Sequence, residues 1–166
     1  MSGRRLDATG LAVVARALGD ADVLARYSAK VVAVPGSECL WWSGAISGRG
    51  HGRLWLAPGV VVIAHRFAFA MVHGVEQLAA ARLLGHRCDN PLCQRVGPGH
   101  VVVSSALENR REWALRRHLP GGALSDPRGA RVRARVLRDL ARADPAGVAA
   151  DLDAVRGLLG EQLVLW

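Results

Sequence analysis

Apolar residues recur at Leu11, Val14, Ala15 and Leu18, the spacing of one helix face. The stretch from Asp7 to Lys30 therefore predicts an N-terminal helical arm, interrupted near Gly19-Asp20 into a pair. Between Cys39 and Ile63 the texture changes. The runs "CLWWSGAI" and "RLWLAPGVVVI" flank the glycine-rich "SGRGHG", and aromatic and β-branched runs on both sides of such a turn predict a β-hairpin that continues into a third strand. Trp41, Trp42 and Trp55 read as core and hairpin packing, with alternation letting only one of Trp41 and Trp42 face inward. "AHRFAFAMVHG" predicts a short helix that stops at Gly74. "LAAARLLG" then leads into "GHRCDNPLCQRVGPGH", where Pro91, Gly97, Pro98 and Gly99 force a compact loop. A short β run follows at "HVVVS". Ser105 with Glu108 three residues later forms a capping box that opens a helix through about His118. After "LPGGALSDPRG" come a basic helix, "ARVRARVLRDLARAD", and a final apolar one ending "LLGEQLVLW". In the last helix Leu152, Val155, Leu158 and Leu159 give an apolar face that completes the core or pairs with a second subunit. The predicted class is α+β, divided into a helical arm (1–36), a central β-rich core (37–119) and C-terminal helices (120–166).

Composition narrows the function classes. At 166 residues and 51% hydrophobic, the chain can bury a proper core and is not generally disordered. Its net charge is +8, and Lys30 is the only lysine among 22 basic residues. Arginine pairs bidentately with phosphate and stacks on bases, so this balance favours a nucleic-acid partner. A GC-rich coding bias explains a choice of arginine over lysine, but not the excess of positive charge. Three cysteines cannot all pair within one chain, which suggests a reduced compartment. "MSGRRLDATG" lacks an apolar signal core and "VVVIA" is far too short to span a bilayer. A cytoplasmic protein with no membrane partner is expected.

The cysteine segment carries the chemistry. Cys88-x4-Cys93-x6-His100 supplies three ligands of the kind zinc takes in a tetrahedron, and Cys39 is the only other cysteine in the chain. A structural zinc on Cys39, Cys88, Cys93 and His100 would tie the start of the hairpin to the loop. His86 lies two residues before Cys88, outside the filled tetrahedron, and is free to act as a base. Asn109 falls in the first turn of the helix after the short strand. A β-β-α unit of this order can set an imidazole and an amide oxygen across a narrow gap, with a divalent cation on the amide side.

Taken in order, "CLWWSGAISGRGHGRLWL", "AHRFAFAMVHG", "HRCDNPLC" and "SSALENRREW" resemble the pieces of an HNH-type endonuclease of the His-Me finger (ββα-metal) superfamily. The resemblance is nearest to the His-Cys box homing endonucleases and covers Cys39 to about Trp113. It implies a ββα-metal core with an antiparallel hairpin, a structural zinc and flanking terminal helices. It also implies a DNA endonuclease in which His86 is the general base that activates water, while Asn109 holds one Mg²⁺ at the scissile phosphate and the leaving 3′-oxygen. The zinc ligands match Cys39, Cys88, Cys93 and His100. The expected partner is double-stranded DNA, met by a homodimer as in the His-Cys box enzymes. Family members usually read Cys-x-Asn-Pro-x-His, whereas Cys93 here is followed by the longer "QRVGPGH". Asn90 reads as a turn former in "DNP" or as a brace for the loop.

Further candidates follow from the same resemblance. His65-Arg66 stands in the "AHR" that recurs at the start of the short helix, where either residue stabilises the transition state or His65 simply packs under the hairpin. Arg49 and Arg53 flank "GHG", on the hairpin that such enzymes lay into a DNA groove; Arg53 is also a candidate for the scissile phosphate. Arg110 and Arg111 follow Asn109 directly. They begin a run of ten arginines against four acids between Glu108 and Arg142, which includes Arg131, Arg133, Arg135, Arg138 and Arg142 and would neutralise DNA phosphates. His51, His73 and His118 have no spacing that suggests chemistry. Two rivals share the composition: a non-catalytic zinc-bearing DNA-binding protein on the same scaffold, and an RNA-binding zinc protein in which His86 and Asn109 do not face one another.

Overall fold

The structure, a computed structural model, describes residues 6–119 and 122–161. Helices α1 (Ala8–Leu18) and α2 (Ala21–Ser28) form the expected pair. Each starts on an aspartate: Asp7 accepts from Gly10 N, and Asp20 from the backbone N–H groups of Asp22 and Val23. Asp20, a strong N-cap directly after Gly19, is why the helical pattern breaks there.

Three two-stranded antiparallel sheets follow, and their pairing differs from the predicted hairpin. Strand β2 (Leu40–Trp42) pairs with β1 (Val31–Ala33), while β3 (Arg53–Ala57) pairs with β4 (Val60–Ile63) around Pro58-Gly59. The segment between β2 and β3 makes only a single bridge, Ile46 to Gly52. It closes instead into a small loop, with Ser47 N donating to His51 O and Gly50 N to Ser47 O. Trp42 explains the difference. Its indole lies against the backbone of the returning chain so closely that a Cβ on Gly52 would fall 2.7 Å from it. A flat two-strand pairing leaves no room for that ring.

Both Trp41 and Trp42 are buried, which corrects the expectation that only one could be. Strand β2 is covered on both faces. Trp42 enters the main core beside Tyr27, whose ring also meets Phe67. Trp41 turns to the cysteine loop, bridging to Cys93 and donating from Nε1 to Ser37 Oγ. Trp55, by contrast, stands half exposed with the Arg26 guanidinium over its ring.

Helix α3 (Ala64–Ala80) supplies the centre of the core through Phe67, Phe69 and Leu78. Gly74 ends its first segment, as expected. The left-handed backbone there breaks the helix, which resumes through Ala80. Strand β5 (Leu83–His86) pairs with β6 (Val101–Ser104), and α4 (Ala106–Arg116) starts on the Ser105–Glu108 capping box as expected. Helices α5 (Gly129–Ala143) and α6 (Pro145–Glu161) close the fold. Leu137 and Ala141 of α5 and Val148 of α6 belong to the same buried cluster as Trp42 and Phe67, so the apolar core is continuous from α1 to α6.

The basic stripe on α5 is only partly available to a ligand. Arg138 Nη1 donates to Gly44 O, and Arg142 donates twice to Ser43 O, docking α5 onto the turn after β2. Arg133 is buried beside Asp126. Of the apolar face expected on α6, Leu152 packs on the core and Leu158 is exposed. The side chain of Leu159 and the closing segment 162–166 lie outside the described residues, as do residues 1–5 of the arm. No helix among the described residues is long and apolar enough to cross a membrane.

Candidate functional site

The four predicted metal ligands meet. Cys39 precedes β2, Cys88 and Cys93 lie in the loop after β5, and His100 directly precedes β6. Their ligand atoms all lie within 4.8 Å of one another. His100 Nδ1 is 3.7 Å from Cys39 Sγ and 3.5 Å from Cys93 Sγ. Ordinary Zn–S and Zn–N bonds at a tetrahedral angle separate sulfur from nitrogen by about 3.6 Å. The other ring nitrogen of His100 is 3.6 Å from the exposed carboxylate of Glu38, beyond hydrogen-bond distance.

Local backbone geometry produces this cluster. Asn90 Oδ1 accepts from Leu92 N and Asn90 O from Cys93 N, so Asn90 is a turn former. Gln94 N donates to Leu40 O and Trp42 N to Leu92 O, pinning the loop onto β2. The longer "QRVGPGH" is absorbed by Gly97 and Gly99, both with positive φ. His100 N donates to Gly97 O and His100 O accepts from Arg87 N, which brings the imidazole back to the sulfurs. The donor set has the electrostatics of a cation site. Thiol hydrogen bonds from Cys88 and Cys93 hold Cys39 far below its ordinary value, while sharing with Cys39 pushes Cys88 and Cys93 up. One thiolate, Cys39, is thus shared by two thiols, and a cation placed among the sulfurs would let all three ionise.

His86, at the end of β5, opens into a neighbouring cavity of about 760 Å³. Asn109 lines the same cavity from α4. A Cβ placed on Gly85 would lie 3.5 Å from Asn109 Oδ1, so the amide oxygen lies against the end of β5, one residue before His86. Six arginines border the cavity (Arg49, Arg66, Arg82, Arg110, Arg116 and Arg133), and Asp89 is the single acid among its lining residues. Arg116 is partly neutralised by Asp89 at 2.8 Å and Glu112 at 3.2 Å. The net field is strongly positive, as a phosphate site requires.

His65 and Arg66 both turn into this cavity from the start of α3. His65 is buried, and its Nδ1 lies 3.2 Å from His86 Nε2. Arg53 and Arg111 are not brought there. On β3 the inward positions are taken by Leu54 and Leu56, so Arg53 points outward with Trp55 and stands away from the cavity. This corrects its expected place at the reacting phosphate. Arg111 is exposed on the side of α4 that does not line the cavity.

His51 is a residue that sequence reasoning missed. The loop closed by Ser47 and His51 lays its ring 5.7 Å from that of His86, nearly parallel, and 5.4 Å from that of His65. The one available signal was its setting between Gly50 and Gly52, a place where the backbone passes close to other elements. Burial holds all three imidazoles below their ordinary value, His86 down to about 3, with repulsion from neighbouring rings adding to it at His65 and His86 and from Arg49 at His51. At neutral pH they are uncharged. His86 Nδ1 is buried with no hydrogen-bond partner among the described residues.

The fold and site together define an α+β protein with small antiparallel hairpins and a Cys₃His cluster able to hold a metal ion such as zinc. The chain is 27% identical over 89 residues to Protein 7.7 of Escherichia phage T7, a match that spans 53% of this chain and 65% of that protein. No family model matches, and no solved structure matches.

Proposed function

We propose that this chain is a metal-dependent DNA endonuclease with a ββα-metal core, formed by β5, β6 and α4 around a structural zinc. The observation that carries the reading is that His86 and Asn109 line one arginine-rich cavity, next to a ligand set with tetrahedral zinc spacings. It is independent of the resemblance of the sequence segments to HNH-type nucleases.

His86 is the general base. A neutral imidazole has one lone pair, so for Nδ1 to accept a proton from water, Nε2 must carry the hydrogen and donate it to His65 Nδ1. His65 is then a positioning residue that fixes the tautomer of the base and the angle of its ring. Burial leaves His86 unprotonated throughout the neutral range, while lowering its strength as a base. Asn109 makes no side-chain hydrogen bond among the described residues, and a free amide oxygen suits Mg²⁺, which keeps most of its waters and takes oxygen ligands. When bound there, the ion supplies charge neutralisation at the phosphate and the leaving oxygen. Arg66 and Arg110 hold the phosphate, and Arg49 follows the backbone at the cavity mouth. The substrate is double-stranded DNA.

Supercoiled plasmid with Mg²⁺ tests the proposal. Wild type should nick, and His86→Ala and Asn109→Ala should each lose at least about 100-fold in rate, the ordinary contribution of a general base or a metal ligand. Both variants should still shift DNA in a gel. Equal nicking by all three proteins refutes the reading. Binding without nicking by wild type indicates instead a DNA-binding protein that has kept the scaffold.

A further inference from the structure

The three histidines of the cavity have a second capability. Their ligand atoms lie within 4.8 Å of one another, and the closest pair, His86 Nε2 and His65 Nδ1, is 3.2 Å apart. Two imidazole nitrogens on one tetrahedral zinc are separated by about 3.3 Å. His51 sits on a short loop with its ring already stacked beside that of His86, so a side-chain adjustment completes the triangle. The open cavity leaves a fourth position for water.

We propose that His51, His65 and His86 form a second metal site, selective for Zn²⁺, Co²⁺ or Ni²⁺ over Mg²⁺, and that filling it turns off the base at His86. The selectivity follows from ligand type, since imidazole suits borderline ions and Mg²⁺ prefers oxygen. The inhibition follows from counting lone pairs. With Nε2 bound to a metal, the ring hydrogen must sit on Nδ1, which then has no lone pair for a water proton. Metal binding and base catalysis are therefore exclusive states of one side chain. The nearby arginines oppose a dication and set the site weaker than the thiolate cluster, so it fills second. The inhibitory half of the proposal rests on the nuclease reading; the binding half does not.

The test begins with the full chain carrying zinc in its cysteine cluster, titrated with Co²⁺ alone and followed by visible absorption and metal analysis. Wild type should take up one further equivalent, with tetrahedral d–d bands and no new thiolate charge-transfer band. His51→Ala and His51→Gln should bind that equivalent more than about tenfold weaker while keeping their zinc. His51 is partly buried on a short loop and lies outside the apolar core, so neither change removes core packing. No second equivalent in wild type, or undiminished uptake by both variants, overturns the site. Plasmid nicking at fixed Mg²⁺ and rising Zn²⁺ forms the second arm, each protein compared with its own rate in Mg²⁺ alone. Wild type should stop as the second site fills, and the His51 variants should need more than about tenfold more zinc. Nicking that persists with the site filled overturns the switch. Second-site binding without nicking at any metal concentration supports the site and refutes the nuclease reading instead.

Discussion

Replacing Cys88 by serine tests the metal cluster with little disturbance to packing. Cys88 is partly exposed, whereas Cys39 and Cys93 are buried, so exchange of its sulfur for oxygen leaves the core nearly intact. Structural zinc contributes about 10–16 kcal/mol to the folding of small domains, shared among four ligands. The ligands here already stand at tetrahedral spacing, with 3.5 and 3.7 Å from His100 Nδ1 to two sulfurs. Little of that energy is then lost to rearrangement, and one thiolate carries about 3 kcal/mol, or about a 100-fold loss of zinc affinity. For a chain of this length each kcal/mol moves the melting temperature by about 2–4 °C. Cys88→Ser should therefore melt about 6–12 °C lower than wild type in the presence of zinc. The assay is thermal unfolding with and without a strong zinc chelator. Wild type should fall on chelation, and the gap between the two proteins should close, because the variant has less metal energy to lose. A wild-type melting temperature that ignores the chelator, or a full gap that persists in it, would refute the assignment.

Three further outcomes follow from particular contacts. Gly52→Ala should cost about 1–3 kcal/mol in denaturant unfolding, because its Cβ would lie 2.7 Å from the fully buried Trp42; an unchanged midpoint would contradict the close approach. Arg110→Ala should weaken DNA binding and lower the slope of log K against log salt by about 0.9. Arg142→Ala should leave that slope alone and lower stability, since its guanidinium caps Ser43 O; equal slope changes in both would show that the arginines are not so divided. Finally, burial tends to raise Asp126, but two-point pairing with Arg128 outweighs it and holds the carboxyl below its ordinary 3.8. Its folded value is depressed, so the stabilisation is present above 3.8 and is lost as pH falls through the folded value. Acid unfolding of wild type should steepen below about pH 4, and Asp126→Asn should remove that contribution; identical acid profiles would refute it.

Several features were legible because they are local. The aspartates before α1 and α2, the Ser105–Glu108 capping box and the Asn90 turn act within three or four residues, and each forms where its spacing says. The Cys₃His set was legible through ligand chemistry, since the chain contains only three cysteines. The strand pairing was not. Which of two neighbouring apolar runs pairs with β2 depends on where Trp42 lies, and β1 won that edge because the indole occupies the space beside Gly52.

The same distinction governs the cavity. Sequence alone determined most of the helices, a set of candidate metal ligands and an excess of arginine, because propensity, capping and ligand type are properties of short stretches. Only the tertiary structure decided that Arg138 and Arg142 serve the fold, that Arg133 borders the cavity paired with Asp126, and that Arg49, Arg66 and Arg110 line the cavity. It also decided that His51, His65 and His86, drawn from a loop, a helix start and a strand end, share one space. Residues that far apart in the chain are brought together by burial of Trp42, Phe67 and Leu137, and burying an apolar side chain is non-directional, so no spacing in the sequence encodes where the polar groups will meet.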